Sequence, residues 1–265
     1  MNKILSTVLS AAVVASLAGC SSATTSSKKS ATSEEGTSIV AEDGTKSEGV
    51  MTYAEYVDAG TDSEVTIETY VQAKQGWWED NGVGKATVYT QDQEGAYFLY
   101  DVEMSEEDYD KLTEGTKIKV TGYKSEWSGE VEITDATFEI EEGNYVAEPV
   151  DLTKIFSDEN ELIKHQNEKF SVNGMTVSAS KDADGNDAAY LYNYDGSGTE
   201  GDDLYFNVDL DGKTYTFTVE SYLCGKDSDV YKAVENLKIG DTIDCEGFLY
   251  WYNGVNPHIT SVTVK

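Results

Sequence analysis

Leu112-Thr-Glu-Gly115-Thr-Lys-Ile118-Lys-Val120-Thr-Gly122-Tyr123, followed by Trp127-Ser-Gly129 and Ile133, decides the fold because the chain writes it twice. The second copy reads Leu237-Lys-Ile-Gly240-Asp-Thr-Ile243-Asp-Cys245-Glu-Gly247-Phe248, followed by Trp251-Tyr-Asn-Gly254 and Ile259. From Leu112 and Leu237 to Gly129 and Gly254 the offset is a constant 125 residues, with only the tryptophans one position out of step. A leucine, paired glycines, two apolar positions, an aromatic and a later glycine in one register make this an internal repeat. The two copies therefore mark two units of one architecture.

Working outward, each copy sits in the same succession of elements. In the first half Val65–Val71, Lys85–Gln91 and Ala96–Val102 read as strands, the first with period-two alternation. Asp92-Gln-Glu-Gly95 is a turn between the second and third. Ser105-Glu-Glu-Asp108 then supplies an N-cap and a first turn of acids for a short helix. Strands over 117–124 and 130–140 complete the half. Three strands, a helix and two strands is the order of the OB-fold, a five-stranded Greek-key barrel. Gly122 and Gly247 suit places where a strand bends to close such a barrel. The second half predicts strands over 170–177, 188–194 and 203–219, the last turning at Asp211-Gly212, then a helix over 228–236 and strands over 242–251 and 258–264. A short helix over 151–166, capped by Ser157 or Asp158, leads into it.

The expected fold is thus mainly β: two OB-fold-like five-stranded barrels, each with one short helix, after a disordered tether. The expected boundary falls near residues 143–150, where acids and Pro149 cluster. That gives a leader over 1–19, a tether over 20–48, one barrel over 49–145 and a second over 146–265. The tether is Ser, Thr, Lys, Glu, Gly and Ala, with too little apolar surface to offset the entropy of ordering.

At the N-terminus Lys3 precedes an apolar run from Ile4 to Ala18, about the length of a signal-peptide core. The run ends in Leu17-Ala18-Gly19-Cys20, which resembles the lipobox of bacterial lipoprotein precursors. Small residues at 18 and 19 admit the peptidase, and the Cys20 thiol carries the lipid. With the tether and the repeated Gly-x-x-Ile segment, the whole chain resembles OB-fold-like acidic lipoproteins of Gram-positive bacteria. The resemblance implies a lipid anchor on the outer face of the cell membrane, an extracytoplasmic location, and tandem barrels. No later stretch is long and apolar enough to span a bilayer.

Charge narrows the partners. The chain has 19 Lys, no Arg and 50 Asp+Glu, a formal net charge of −31. Clustered Lys and Arg, on which phosphate-backbone affinity depends, are missing, so nucleic acid is disfavoured. Bidentate arginine forks for carboxylate or phosphate ligands are missing too.

Few residues invite catalysis. Neither His165, in a polar stretch, nor His258, expected on a barrel rim after Pro257, has a Ser, Cys or second His at a catalytic spacing. No enzymatic activity, cofactor or His/Cys metal cluster is expected. Asp182-Ala-Asp184-Gly-Asn186-Asp187 places oxygens at alternate positions, but its glycine is fourth rather than sixth, so it is no EF-hand. Asp182, Asp184 and Asp187 are weak calcium candidates beside the simpler reading of an Asp/Gly/Asn turn. Cys224 and Cys245 are open both to a single bridge in an oxidising exterior and to a role as small buried hydrophobes.

The aromatics are the most suggestive signal. Trp77 and Trp78 fall in a glycine-rich loop between the first two strands, and Trp127 between the last two. In an OB-fold those loops flank the ligand-binding face. Tyr89, Tyr97 and Tyr100 are candidates for the same face, and Tyr250 and Trp251 occupy comparable places in the second half. Adjacent tryptophans on a regular strand point to opposite sides, so one of Trp77 and Trp78 faces outward. The rings either plug the barrel mouths or form a stacking platform. The expectation is a non-enzymatic binding module for an extracellular glycan, peptide or protein. The alternatives are an accessory lipoprotein docking onto a membrane or wall complex and, more weakly, OB-type binding of single-stranded nucleic acid.

Overall fold

The computed structural model describes residues 46–265. The leader, Cys20 and residues 20–45 of the tether lie outside the described residues. In the first half a capping box starts α1 (Tyr53–Asp58): Thr52 accepts from the Glu55 amide and Glu55 accepts from the Thr52 amide. Then come β1 (Glu64–Lys74), β2 (Trp78–Asp80), β3 (Val83–Gln91), β4 (Ala96–Glu103), α2 (Glu106–Lys111), β5 (Thr116–Trp127) and β6 (Glu130–Asn144). Ser105 caps α2, accepting from the Asp108 amide at 3.1 Å.

Pairing closes this half into a ring. β1 runs antiparallel to β5, β5 to β6, and β4 to β3, while β4 and β6 are parallel. The β3–β1 pairing closes the barrel, leaving β2 as a hairpin arm on β3. A closed ring leaves no strand edge within the barrel to recruit another chain.

The second half comprises β7 (Val150–Asp151), α3 (Glu159–Leu162), β8 (Lys169–Ser178), β9 (Ser180–Lys181), β10 (Asp187–Ala188), β11 (Leu191–Tyr192), β12 (Leu204–Leu210), β13 (Lys213–Val219), α4 (Asp229–Glu235), β14 (Thr242–Phe248) and β15 (His258–Val264). The ring is the same: β8 with β12, β12 with β13, β13 parallel to β15, β15 with β14, and β14 with β8. Both halves are therefore OB-type barrels, and the fold is mainly β as expected. One strand differs. The run expected over 188–194 yields only the two-residue β10 and β11, because Asn193 turns left-handed (φ 63°) and ends the pairing. The hairpin expected over 203–219 supplies both the second and third barrel strands, turning at Asp211 (φ 51°) and Gly212 (φ 78°).

The repeated glycines do the same work twice. At Gly122 an added Cβ would lie 2.7 Å from Ile133 Cγ2, and at Gly247 it would collide with the His258 carbonyl. Each sits where the register of its ladder shifts, β5 against β6 and β14 against β15. The bulge bends the strand, and only a residue without a side chain lets the neighbouring strand come so close.

Each barrel has its own core. Ile67, Val88, Leu99, Ile118, Val120 and Ile133 belong to the first, and Phe170, Phe206, Phe217, Tyr231 and Ile243 to the second. A third cluster, Tyr89, Phe98 and Phe248 with Leu223 and Tyr250 against it, draws on both halves. Residues 46–265 belong to one compact unit, and this shared cluster is the seam that joins its barrels. No helix of the described residues is long and apolar enough to cross a membrane.

Candidate functional site

The seam explains what lines the surface above it. Tyr89 stacks on Phe248 at 4.6 Å and meets Phe98 edge-on at 5.0 Å. Its hydroxyl lies 2.7 Å from Nδ1 of His258, which stacks on Tyr250 at 4.2 Å. His258 is thus buried in the seam rather than placed on a rim, and burial pushes its imidazole down to about 3, so it is neutral. Beside it the two equivalent hairpin turns abut. Ser128-Gly129 and Asn253-Gly254 carry matching positive φ values at the first residue, 54° and 53°, and the Asn253 amide donates to the Ser128 carbonyl at 2.7 Å. Trp127 packs on Tyr252 with ring centroids 5.0 Å apart, so residues at equivalent places in the repeat touch one another.

Glu130 ties the turns together from beneath. It is fully buried, and its Oε2 accepts from the Trp251 amide at 2.9 Å and from Gln166 at 3.2 Å. Burial, reinforced by Glu132, pushes its carboxyl up to about 8 against hydrogen bonds that work the other way, so it is protonated at neutral pH. The Asn167 side chain is among the hydrogen-bonding groups that work against that rise.

Above the seam opens a groove of about 380 Å³, lined by Gln75, Gly76, Trp78, Tyr100, Asp101 and Tyr222. Three exposed rings face it: Trp78 is 39% exposed, Tyr100 46% and Tyr222 69%. Trp78 arrives on β2, the arm that β3 supports. Tyr100 arrives through a bulge in β4, where Asp101 turns left-handed (φ 48°) and its amide donates to Thr87 Oγ1 at 3.2 Å. Bulges re-aim side chains, and this one sets Tyr100 and Asp101 together at the rim. Tyr222 comes from the other half, and its carbonyl accepts from the Gly76 amide at 2.8 Å, pinning the β1–β2 loop to the second barrel. Tyr100 and Asp101 also line an adjoining hollow of about 430 Å³ with Lys85 and Glu103.

The expected site residues divide sharply. Trp78 and Tyr100 line the groove, whereas Tyr250 packs in the seam, stacked on His258 at 4.2 Å and edge-on to Phe98 at 5.4 Å. Trp127 is exposed at the abutting turns. Trp77 turns inward onto the first core, its indole N–H donating to the Met104 carbonyl at 3.2 Å. Tyr89, Tyr97 and Trp251 do not form an exposed face. Tyr97 lies inside the first barrel, edge-on to Tyr53 and Tyr56, its hydroxyl donating to Asp92. Tyr89 fills the seam, and Trp251 packs into the second core with its ring against Gly129. Alternation explains the split: along β4, Tyr97 and Leu99 point into the barrel while Phe98 and Tyr100 point out.

The acid loop is a turn. Asp182 Oδ1 accepts from the amides of Asp184 and Asn186, and Asp187 pairs with Lys181 at 2.6 Å. Among the described residues no group of three His, Cys, Asp or Glu side chains is placed to hold a metal. Cys224 and Cys245 are both free thiols, Cys245 in the second core, so they form no bridge with each other. Tyr222, Phe98, Asp101 and Glu130 went unnoticed in the sequence. Nothing in Ser221-Tyr222-Leu223 distinguishes an exposed ring from a buried one.

No protein-family model and no curated protein matches the chain. Solved structures do. They include a murine DNA-binding protein bound with double-stranded DNA, at 13% identity over 76% of this chain and 94% of that one, with a TM-score of 0.32. The p204 HINb domain matches at 9% identity over 78% of this chain and 100% of that one, TM-score 0.34. A replication protein A heterotrimer bound to single-stranded DNA matches at 13% identity over 76% of this chain and 49% of that one, TM-score 0.31. At such scores the ground for the fold is the strand pairing of the chain itself, and none of these likenesses carries an argument about its ligand.

Proposed function

We propose that the chain is a non-enzymatic binding protein, lipid-anchored through Cys20 to the outer face of the cell membrane, whose inter-barrel groove takes an extracellular glycan or peptide. The observation that carries this reading is that Trp78, Tyr100 and Tyr222, from both halves, expose their rings to one groove. Rigid rings beside polar groups are the usual equipment of a ligand site. His258 is neutral and covered in the seam, and burial pushes the Cys224 thiol up to about 11, which leaves neither poised as a base or nucleophile. Glycan and peptide arrays test the reading. Trp78→Ala or Tyr222→Ala should weaken any ligand found by about tenfold, a loss of roughly 1.4 kcal/mol. An interaction indifferent to both substitutions would move the site elsewhere.

Single-stranded nucleic acid is the second reading, because bases stack on the same rings. Asp101, Glu103 and the overall charge of −31 oppose a phosphate backbone there. Measuring affinity for single-stranded oligonucleotides at physiological salt separates the two readings, and Trp78-dependent binding would favour the second.

A further inference from the structure

The groove is short of positive charge. Asp101 stands on its rim, and Glu132 shares its outward face, being the β6 partner of Phe98 in the parallel ladder. Both carboxyls are raised above their usual range, chiefly by burial, and Asp101 adds to the effect on Glu132. Among the described residues no ion pair reaches either acid. Lys85 lowers Asp101 only in part, and its ammonium already lies over the Trp78 ring at 5.7 Å. The indole face therefore has an ammonium from the protein itself as an occupant.

We propose that this groove binds an organic ammonium group, held against the Trp78, Tyr100 and Tyr222 rings with Asp101 as its counter-ion. The proposal rests on the groove being the ligand site and names the chemistry of its ligand. Ring faces attract cations through their quadrupoles, most strongly where water is excluded. A cation placed beside Asp101 also relieves its repulsion with Glu132. The field of a strongly acidic chain concentrates cations at the groove before they bind. Lys85 is the internal competitor, on a flexible stem that can swing into solvent.

Two matched pairs of probes test this: glucosamine against N-acetylglucosamine, and Gly-Lys-Gly with a blocked N-terminus against the same blocked peptide with acetylated lysine. Within each pair one amine differs in charge, and the two pairs separate a sugar amine from a peptide amine. In calorimetric titrations at low salt the charged member of at least one pair should bind about tenfold more tightly than its acetylated partner. Asp101→Asn, which keeps a residue tolerant of positive φ, should remove most of that preference. Lys85→Gln should tighten the charged member about threefold by freeing the indole. Equal or tighter binding of the acetylated members overturns the ammonium assignment and leaves the groove as the site. No binding of any probe, while the arrays yield a ligand that Trp78→Ala abolishes, has the same meaning. If no ligand of any kind depends on Trp78, both the assignment and the groove fall.

Discussion

Glu130 shows how one carboxyl can set the pH response of the molecule. Its folded value of about 8 stands above the ordinary 4.5, because ionising it would leave a charge buried beside Glu132. Between those two values the folded protein holds a proton that the unfolded chain has released. The contribution of this group is therefore fully present below about pH 4.5 and falls away as pH rises to about 8, beyond which it is flat. Glu220, pushed up to about 7 by burial and Asp203, acts in the same direction. Glu130→Gln keeps the shape and removes the ionisation. In urea titrations it should be about 1–3 kcal/mol more stable than the parent at about pH 8, and the difference should shrink toward about pH 5. A larger gap at the acid end would contradict the assignment.

Among the elements, α1 depends most visibly on a single partner. Its last turn lacks basic residues, and Lys124 of β5 reaches across to fill that role. The ammonium donates to the carbonyls of Tyr56, Val57 and Ala59 at 2.8–2.9 Å and lies over the Tyr56 ring. Helix carbonyls left without donors in a partly buried place are costly. Lys124→Met should destabilise by about 1–3 kcal/mol and raise the amide exchange of α1 well before that of the barrel strands. The barrels themselves were legible in the sequence because their glycines answer a strict local demand: at Gly122 and Gly247 no other residue fits. Helix α1 was overlooked although Thr52 and Glu55 carry its capping signature, since six residues show no periodicity. The faces of β4 were illegible for a different reason. Ala96-Tyr-Phe-Leu-Tyr100 is apolar throughout, so alternation could not say that Tyr97 goes inside and Tyr100 outside. The groove was harder still, because Trp78 and Tyr222 are 144 positions apart and only the docking of one barrel on the other brings them together.

At the scale of the whole molecule, the seam decides whether two barrels behave as one. Tyr89, Phe98 and Phe248 bury apolar surface from both halves, and the Glu130 and Asn253 hydrogen bonds cross between them. Unfolding should therefore be a single transition by calorimetry. Phe248→Ala opens a hole where Tyr89 stacks, costs about 3–5 kcal/mol, and should broaden or split that transition as the barrels lose their common stake. A sharp single transition in the variant would mean the turns alone couple the halves. The seam has a further consequence for observing the protein in solution. Of its four tryptophans, Trp78 looks into the groove, Trp127 packs on Tyr252 and Trp251 lies against Gly129, while Trp77 rests on the first core. The intrinsic emission of the unlabelled chain is thus weighted toward the place where the barrels meet, and its colour would report their separation before either interior is exposed to water.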